Sequence, residues 1–316
     1  MPERSYRDRF GSLALDMVWS LWTELGLSGW SRHHSMTAVD LEPLVVATAT
    51  LVRLDARLRD ETLDWCIANH RFVSAVRLRN SLKAAAPETQ RAFADFAATV
   101  KRHARVAWPG EGHAHRFTPT GRSSPPVLAR PALIQLRLRA VVGVSVRAEI
   151  LRLLLAEPQR LYSVAELAAA ASYGKGNAAM ALELLASTRL IETQVTGNQF
   201  RYRIARMEEF SSLLRPLPLH FPDWPGRFRV VAAVLSFAET APPDGMARAV
   251  EARRTIRLLG RDMRGLGIDD ITSVGGQALS HDFEQWSLRV LAEWTDDSGG
   301  QNAPRGSQVA RSPADG

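Results

Sequence analysis

Residues 161–191 read LYSVAELAAAASYGKGNAAMALELLASTRLI, and this stretch decides the fold that the sequence predicts. Ser163 and Glu166 have the spacing S-x-x-E of a capping box, in which each side chain binds a backbone amide at a helix start. A short alanine-rich helix follows, and the Ser-Tyr-Gly at 172–174 is typical of a turn. Apolar residues at helical spacing then predict a second helix over 175–188. The stretch therefore predicts two helices joined by a tight turn.

The segments on either side extend this helix pair. Before it, Ser145 precedes an apolar stripe that ends at Pro158, which predicts a helix because the residue before a proline leaves the α region. After it, residues 190–195 and 199–204 predict two strands, and the turn over 196–198 makes them a hairpin. The predicted order is therefore helix, short helix, turn, helix and hairpin.

This order resembles the winged helix-turn-helix domains of bacterial transcription regulators of the ArsR and MarR type. The resemblance covers residues 145–204 only, and Lys175–Leu185 is similar to their recognition helix in apolar spacing. Those families commonly have glycine where this chain has Arg189. The expected buried face of the helix comprises Ala178, Ala181, Leu182 and Leu185. The resemblance implies a central winged helix of three helices plus a β-hairpin. Helical patterns in residues 36–107 and 219–296 predict N- and C-terminal helical parts on either side, so we expect a mainly α fold.

The resemblance implies that the start of the recognition helix contacts DNA. It implies the same for the hairpin, which forms the wing of such domains. The first residues of a recognition helix enter the major groove. We expect Lys175 at a guanine edge or a phosphate and Asn177 at an adenine edge, while the wing follows the backbone or the minor groove. The expected DNA-binding residues are Gly174, Lys175, Gly176, Asn177, Ala179, Met180, Asn198, Gln199, Arg201 and Arg203.

Prolines divide the chain, because proline blocks helix formation and lacks an amide donor. Nine of the 17 prolines fall in two stretches, 109–131 and 216–225. The residues after 296 include Val309 as their single bulky apolar side chain, so we expect them to be disordered. The expected parts are an N-terminal helical domain over 1–107, a proline-rich linker over 108–131, the winged helix-turn-helix domain over 132–214, a C-terminal helical domain over 215–296 and a disordered tail over 297–316.

Composition narrows the possible functions. The 40 basic and 33 acidic side chains give a net charge of +7, of which residues 132–214 hold only +3, so charge alone does not indicate a nucleic-acid partner. The single cysteine, Cys66, excludes a disulfide framework and is expected to be buried. No apolar run approaches the roughly 20 residues that cross a bilayer. We therefore expect a cytoplasmic chain that does not contact the membrane.

Chemistry-bearing residues do not gather into a recognisable set. We find no combination of acid, base and nucleophile, and no spacing typical of a cofactor or metal site, so no catalytic residue, cofactor or metal is predicted. His113 and His115 lie in the proline-rich stretch and are interpreted as loop histidines. Only Lys83, Lys101 and Lys175 are lysines, which gives weight to Lys175 at the recognition helix.

The sequence favours a transcription regulator that binds double-stranded DNA as a homodimer through its winged helix. The alternative is an antitoxin-like or adaptor component of a two-gene system, which binds the product of a neighbouring gene and regulates its own operon. In that case residues 13–30 or 219–296 would bind the partner protein. A winged helix used only for protein contacts also stays open, and an enzyme is the least favoured hypothesis.

Overall fold

The structure is a computed structural model that describes residues 5–28, 33–264, 266, 271 and 275–296. The predicted disordered tail, residues 297–316, lies outside these described residues. Within them the chain is mainly helical, with thirteen α-helices, which confirms the predicted class. The helices are α1 Tyr6–Glu24, α2 Leu41–Leu51, α3 Ala56–Asn69, α4 Ala75–Leu82, α5 Pro87–His103, α6 Ile134–Val142, α7 Val146–Ala156, α8 Val164–Ala171, α9 Lys175–Ser187, α10 Met207–Leu214, α11 Trp224–Thr240, α12 Gly245–Leu259 and α13 Ala278–Thr295.

Three strands form one small antiparallel sheet. They are β1 Tyr162–Ser163, β2 Ile191–Thr196 and β3 Gln199–Ile204, with β3 in the middle. The predicted hairpin of β2 and β3 is present, and the register runs from Ile191 opposite Ile204 to Thr196 opposite Gln199. The sequence does not predict β1, because two residues are too few to show the alternation of a strand. It also does not predict α6 and α10, which are only about two turns long.

One hydrophobic core contains residues from both ends of the chain. α1 packs along α13, and the Tyr6 hydroxyl shares a hydrogen bond of 2.8 Å with the Ser287 hydroxyl. Helices α2 to α5, α11 and α12 complete this first core. The parts 1–107 and 215–296 therefore share a core, whereas the proline-rich stretches suggested separate domains. Helical periodicity indicates which residues face inward but not which helices pack together.

A second core lies between α6 and α10 and includes the sheet. Apart from Ala38, its buried members fall between Ile134 and Leu214. Ile150 and Leu154 of α7 lie at its centre, against the inner faces of α8 and α9. This core gives the central part of the chain its own hydrophobic interior.

Residues 108–130 form no helix or strand, yet they lie against α3 and α5. Trp108 is buried and stacks on Phe93 with ring centroids 6.1 Å apart. The Asp64 carboxylate accepts hydrogen bonds from three backbone amides between residues 120 and 123, at 2.7 to 3.1 Å. The segment predicted as a linker is thus fastened to the first core. A high proline content predicts the absence of helix, not the absence of contacts.

Six charged side chains form a buried charge cluster between the two cores. Their side chains are at most 7% exposed. Arg77 donates to Asp40 at 2.6 Å and also to Glu42, while Arg139 donates to Glu42 at 2.6 Å and to Glu149 at 2.9 Å. The members are Arg77, Arg139, Arg152, Asp40, Glu42 and Glu149. Because α2 and α4 face α6 and α7 across it, the cluster joins the two cores.

Gln135 supplies further hydrogen bonds to the charge cluster. Its side-chain amide donates to Asp40 and to Glu149 at 3.0 Å each, and its carbonyl oxygen accepts from the Leu41 amide at 2.9 Å. Asp40 is the residue before α2, but its carboxylate makes no hydrogen bond to that helix. The Gln135 side chain caps α2 instead, and the Asp40 carboxylate accepts hydrogen bonds from Arg77 and Arg152.

The arginines of the charge cluster favour the ionised forms of Glu149 and Asp40. Burial alone would raise the pKa of Glu149, but Arg139, Arg77 and Arg152 outweigh it and lower the pKa to about 2. The same balance of burial against arginine charge lowers the pKa of Asp40. Three positive and three negative charges therefore face one another out of contact with water, and losing one of them leaves a buried charge without a partner.

Glu149→Gln should lower the free energy of unfolding by about 3–5 kcal/mol, because Arg139 and Arg152 then lose the negative charge that they pair with. The new amide has nearly the same shape as the carboxylate, so the loss reports the charge rather than the packing. Urea unfolding followed by circular dichroism measures the loss. Glu88→Gln is the matched control, since the Glu88–Arg91 pair on α5 is exposed and should contribute less than about 1 kcal/mol. Small and equal losses in both variants would contradict this account of the cluster.

Candidate nucleic-acid interface

A turn of three residues, 172–174, joins α8 to α9. The capping box at the start of α8 is present as predicted. The Glu166 amide donates to the Ser163 hydroxyl at 3.2 Å, and the Ser163 amide donates to the Glu166 carboxylate at 2.7 Å. Ser172 ends the helix in the left-handed region with a φ of 57°. This conformation reverses the chain and allows α9 to begin three residues later, at Lys175.

The first turn of α9 is open to solvent. Gly174 precedes the helix, and no side chain caps its amides. The residues expected in the major groove are all exposed: Gly174, Lys175, Gly176, Asn177, Ala179 and Met180. The opposite face is buried at Ala178, Ala181, Leu182 and Leu185, which confirms the predicted inner face. α9 thus presents one polar amide, one cation and uncapped backbone donors at its start.

Helix α4 of the first core holds the turn before α9. The Arg77 guanidinium donates to the Ala171 carbonyl at 3.1 Å, and the Asn80 side chain donates to the Ser172 carbonyl at 2.9 Å. The Tyr173 hydroxyl shares a hydrogen bond of 2.9 Å with the Ser74 hydroxyl. Arg77 also belongs to the charge cluster, so the cluster and the turn are connected through one side chain.

One basic residue of this region is absent from the sequence-based prediction. Lys83, the residue after α4, is exposed, and its ammonium donates to the Asn80 side chain at 3.0 Å. Because Asn80 binds the turn itself, Lys83 lies close to the start of α9. No local sequence signal indicates this, since about ninety residues separate Asn80 from Ser172.

The wing reaches beyond the second core. Gly197 has a φ of 59° in the two-residue loop between β2 and β3, as expected for the first loop residue of a type II′ turn. Asn198 and Gln199 are exposed at its tip. Both wing arginines have acidic partners within the chain: Arg201 donates to Glu166 at 2.9 Å, and Arg203 donates to Glu192. Their charges are therefore partly balanced before any ligand approaches.

Apolar side chains are exposed on both α9 and the wing. Met180 and Leu184 of α9 are 72% and 51% exposed. On the wing, Val195 and Phe200 are opposite one another and also exposed. Ile204 is buried on the same strand, because the hairpin enters the core at its base and leaves it towards the tip. This surface offers fewer charges than a strongly basic DNA-binding face.

Arg189 occupies the position where the resembling families commonly have glycine. Its φ is 60°, in the left-handed region that glycine adopts without strain. The chain therefore makes the same backbone turn between α9 and β2 with a side chain that resists it. A non-glycine residue in this conformation costs of order 1 kcal/mol.

Other ligand chemistry finds little support in the part of the chain that the structure describes. There, no three His, Cys, Asp or Glu side chains are grouped to hold a metal ion. None of the described helices is long and apolar enough to span a bilayer. Cys66 is fully buried, as expected, and burial raises the pKa of its thiol.

Comparison of the chain with protein-family models, with curated proteins and with solved structures finds no match. The function must therefore be argued from the residues themselves.

Ser163→Ala should lower the free energy of unfolding by about 1 kcal/mol, because it removes the side-chain half of the capping box. Ser145→Ala is the matched control: Ser145 precedes α7 but its side chain makes no hydrogen bond to that helix, so loss of the hydroxyl should change stability by less than about 0.5 kcal/mol. Urea unfolding of the two variants beside the parent measures both. Equal losses would show that the capping box does not stabilise α8.

Proposed function

We propose that residues 145–204 are a winged helix-turn-helix domain that binds double-stranded DNA, and that the protein regulates transcription. The observation that carries the proposal is the order α7, β1, α8, turn, α9, β2, β3, with an exposed α9 start. In proteins with this arrangement the second helix of the pair enters the major groove. Eight of the ten residues to which the resemblance points are exposed in the fold, and the other two, Arg201 and Arg203, are partly buried.

The chemistry of the first turn of α9 fits a base-reading role. Asn177 offers both a donor and an acceptor to an adenine edge, and Lys175 offers donors to a guanine edge or a phosphate. The uncapped amides at the helix start favour a phosphate, because the helix dipole adds to their charge. Met180 lies on the same exposed face and suits contact with a thymine methyl group.

The wing contributes less in this proposal than the sequence suggests. Arg201 and Arg203 must loosen their bonds to Glu166 and Glu192 before they contact phosphates. Lys83, the residue after α4, is exposed beside the turn and takes over part of the backbone contact. With few phosphate contacts, binding should depend only modestly on salt.

A homodimer completes the proposed function. Helix-turn-helix regulators match a two-fold protein to two half-sites about 34 Å apart, since one recognition helix reads only a few base pairs. We therefore expect an operator with inverted repeats upstream of the gene.

Lys175→Ala should weaken binding to DNA from the upstream region of its own gene and lower the slope of log affinity against log salt by about one. Asn177→Ala should reduce discrimination between the operator and a scrambled duplex by about 1–3 kcal/mol. Fluorescence anisotropy of a labelled duplex over a range of salt concentrations measures both.

Arg91→Ala is the control for the loss of a positive charge, because Arg91 is exposed on α5 and pairs with Glu88. It should leave both the affinity and the salt slope unchanged. Binding that survives intact in the Lys175 and Asn177 variants, or no binding to any duplex, would overturn the proposal.

A further inference from the structure

Helix α12 exposes a ridge of large side chains. Met246, Val250, Arg254 and Leu258 follow one another at four-residue intervals, so they lie along one line on the helix surface. Met246 and Val250 are more than half exposed, and Leu258 is 78% exposed. On a helix about 22 Å long, these residues form one ridge in which Arg254 separates Val250 from Leu258.

The inner side of α12 is fixed, so the outward ridge is not needed for the fold. Ala249, Ala252 and Ile256 are buried in the first core. Arg248 also faces inward, where it donates to the Glu284 carboxylate at 2.6 Å and lies over the Phe237 ring at 4.7 Å. The helix therefore presents a rigid outer face.

Arginines flank and interrupt the ridge. Arg253 and Arg257 are exposed beside it, and the side chain of Arg254, within the ridge, is 80% exposed. The acidic residue of α12 is Glu251, which lies 3.8 Å from Arg254 and is itself partly buried. The face therefore combines apolar contact area with an excess of positive charge.

A large cleft begins at this face. Arg254, Arg257 and Leu258 line one edge of a cleft of about 2200 Å³ that also borders α2, α5 and α8. A helix lying on the α12 ridge would be able to place one of its sides in this cleft.

We propose that α12 binds an acidic amphipathic helix of a partner protein. Apolar anchors of that helix would pack on Met246, Val250 and Leu258, and its carboxylates would pair with the arginines, which favour bidentate contacts. The α12 ridge contains none of the residues assigned to the DNA-binding role of α9, but Gly174 and Lys83 border the same cleft.

The pattern of the face argues against other occupants. A second copy packed face to face would bring arginines against arginines. A lipid surface would have to accept Arg254 within the apolar strip, whereas membrane-surface helices keep cations away from their apolar face. Nucleic acid would leave Leu258 and Val250 against phosphates. An acidic amphipathic helix matches both features, because its carboxylates complement the arginines and its apolar side covers the exposed apolar residues.

The test uses the full chain and a labelled synthetic helix about five turns long, with leucines at every third or fourth position and glutamates beside them. Fluorescence anisotropy should show binding that weakens about tenfold in Val250→Ser/Leu258→Ser and in Arg254→Ala/Arg257→Ala. Leu213→Ser is the apolar control, since Leu213 is 80% exposed on α10 and should not affect binding. Arg91→Ala is the control for charge.

Several results would overturn the proposal. Equal binding of a matched peptide with lysines in place of glutamates would show that charge complementarity is absent. Unchanged affinity in both double variants would place the peptide elsewhere. Binding to phosphatidylglycerol vesicles or to duplex DNA that is lost in the same variants, or a dimer in sedimentation velocity that the Val250→Ser/Leu258→Ser variant abolishes, would assign the face to a different occupant.

Discussion

The buried charge cluster is the interaction on which the rest of the structure depends. It joins the helices of two hydrophobic cores with three arginines and three carboxylates. Arg77 binds Asp40 within the cluster and the Ala171 carbonyl at the end of α8. The position of the turn before α9 is therefore set by the helices of the other core. A cluster of this kind adds specificity of arrangement more than stability.

Local structure was predictable from the sequence, whereas the association of the parts was not. The capping box at Ser163, the inner face of α9 and the hairpin follow from residues within a few positions of one another. The Arg139–Glu42 pair spans 97 residues, and the contact of α1 with α13 spans nearly the whole chain. Periodicity contains no information about such distant pairs, so the shared first core and the role of α4 emerge only in three dimensions.

In the candidate site, too, local features were predictable from the sequence and contacts between distant residues were not. Exposure of the α9 start was expected, because the apolar residues of α9 lie on its opposite face, which packs into the core. The pairing of Arg201 with Glu166 was not, because β3 and α8 are adjacent only once β1 forms. The proposed DNA-binding helix and the basic, apolar face of α12 lie on different cores. The charge cluster joins the helices of the two cores that carry these surfaces.

Hydrogen exchange of the free protein at increasing urea tests this central claim most directly, because it follows each helix separately. The account predicts that α6 and α7 open with the same free energy as α2 and α4, since the buried charges on both sides must separate together. If α6 to α9 exchange at clearly lower urea than α2 to α5, the two cores unfold independently. The claim that the charge cluster unites them would then be wrong.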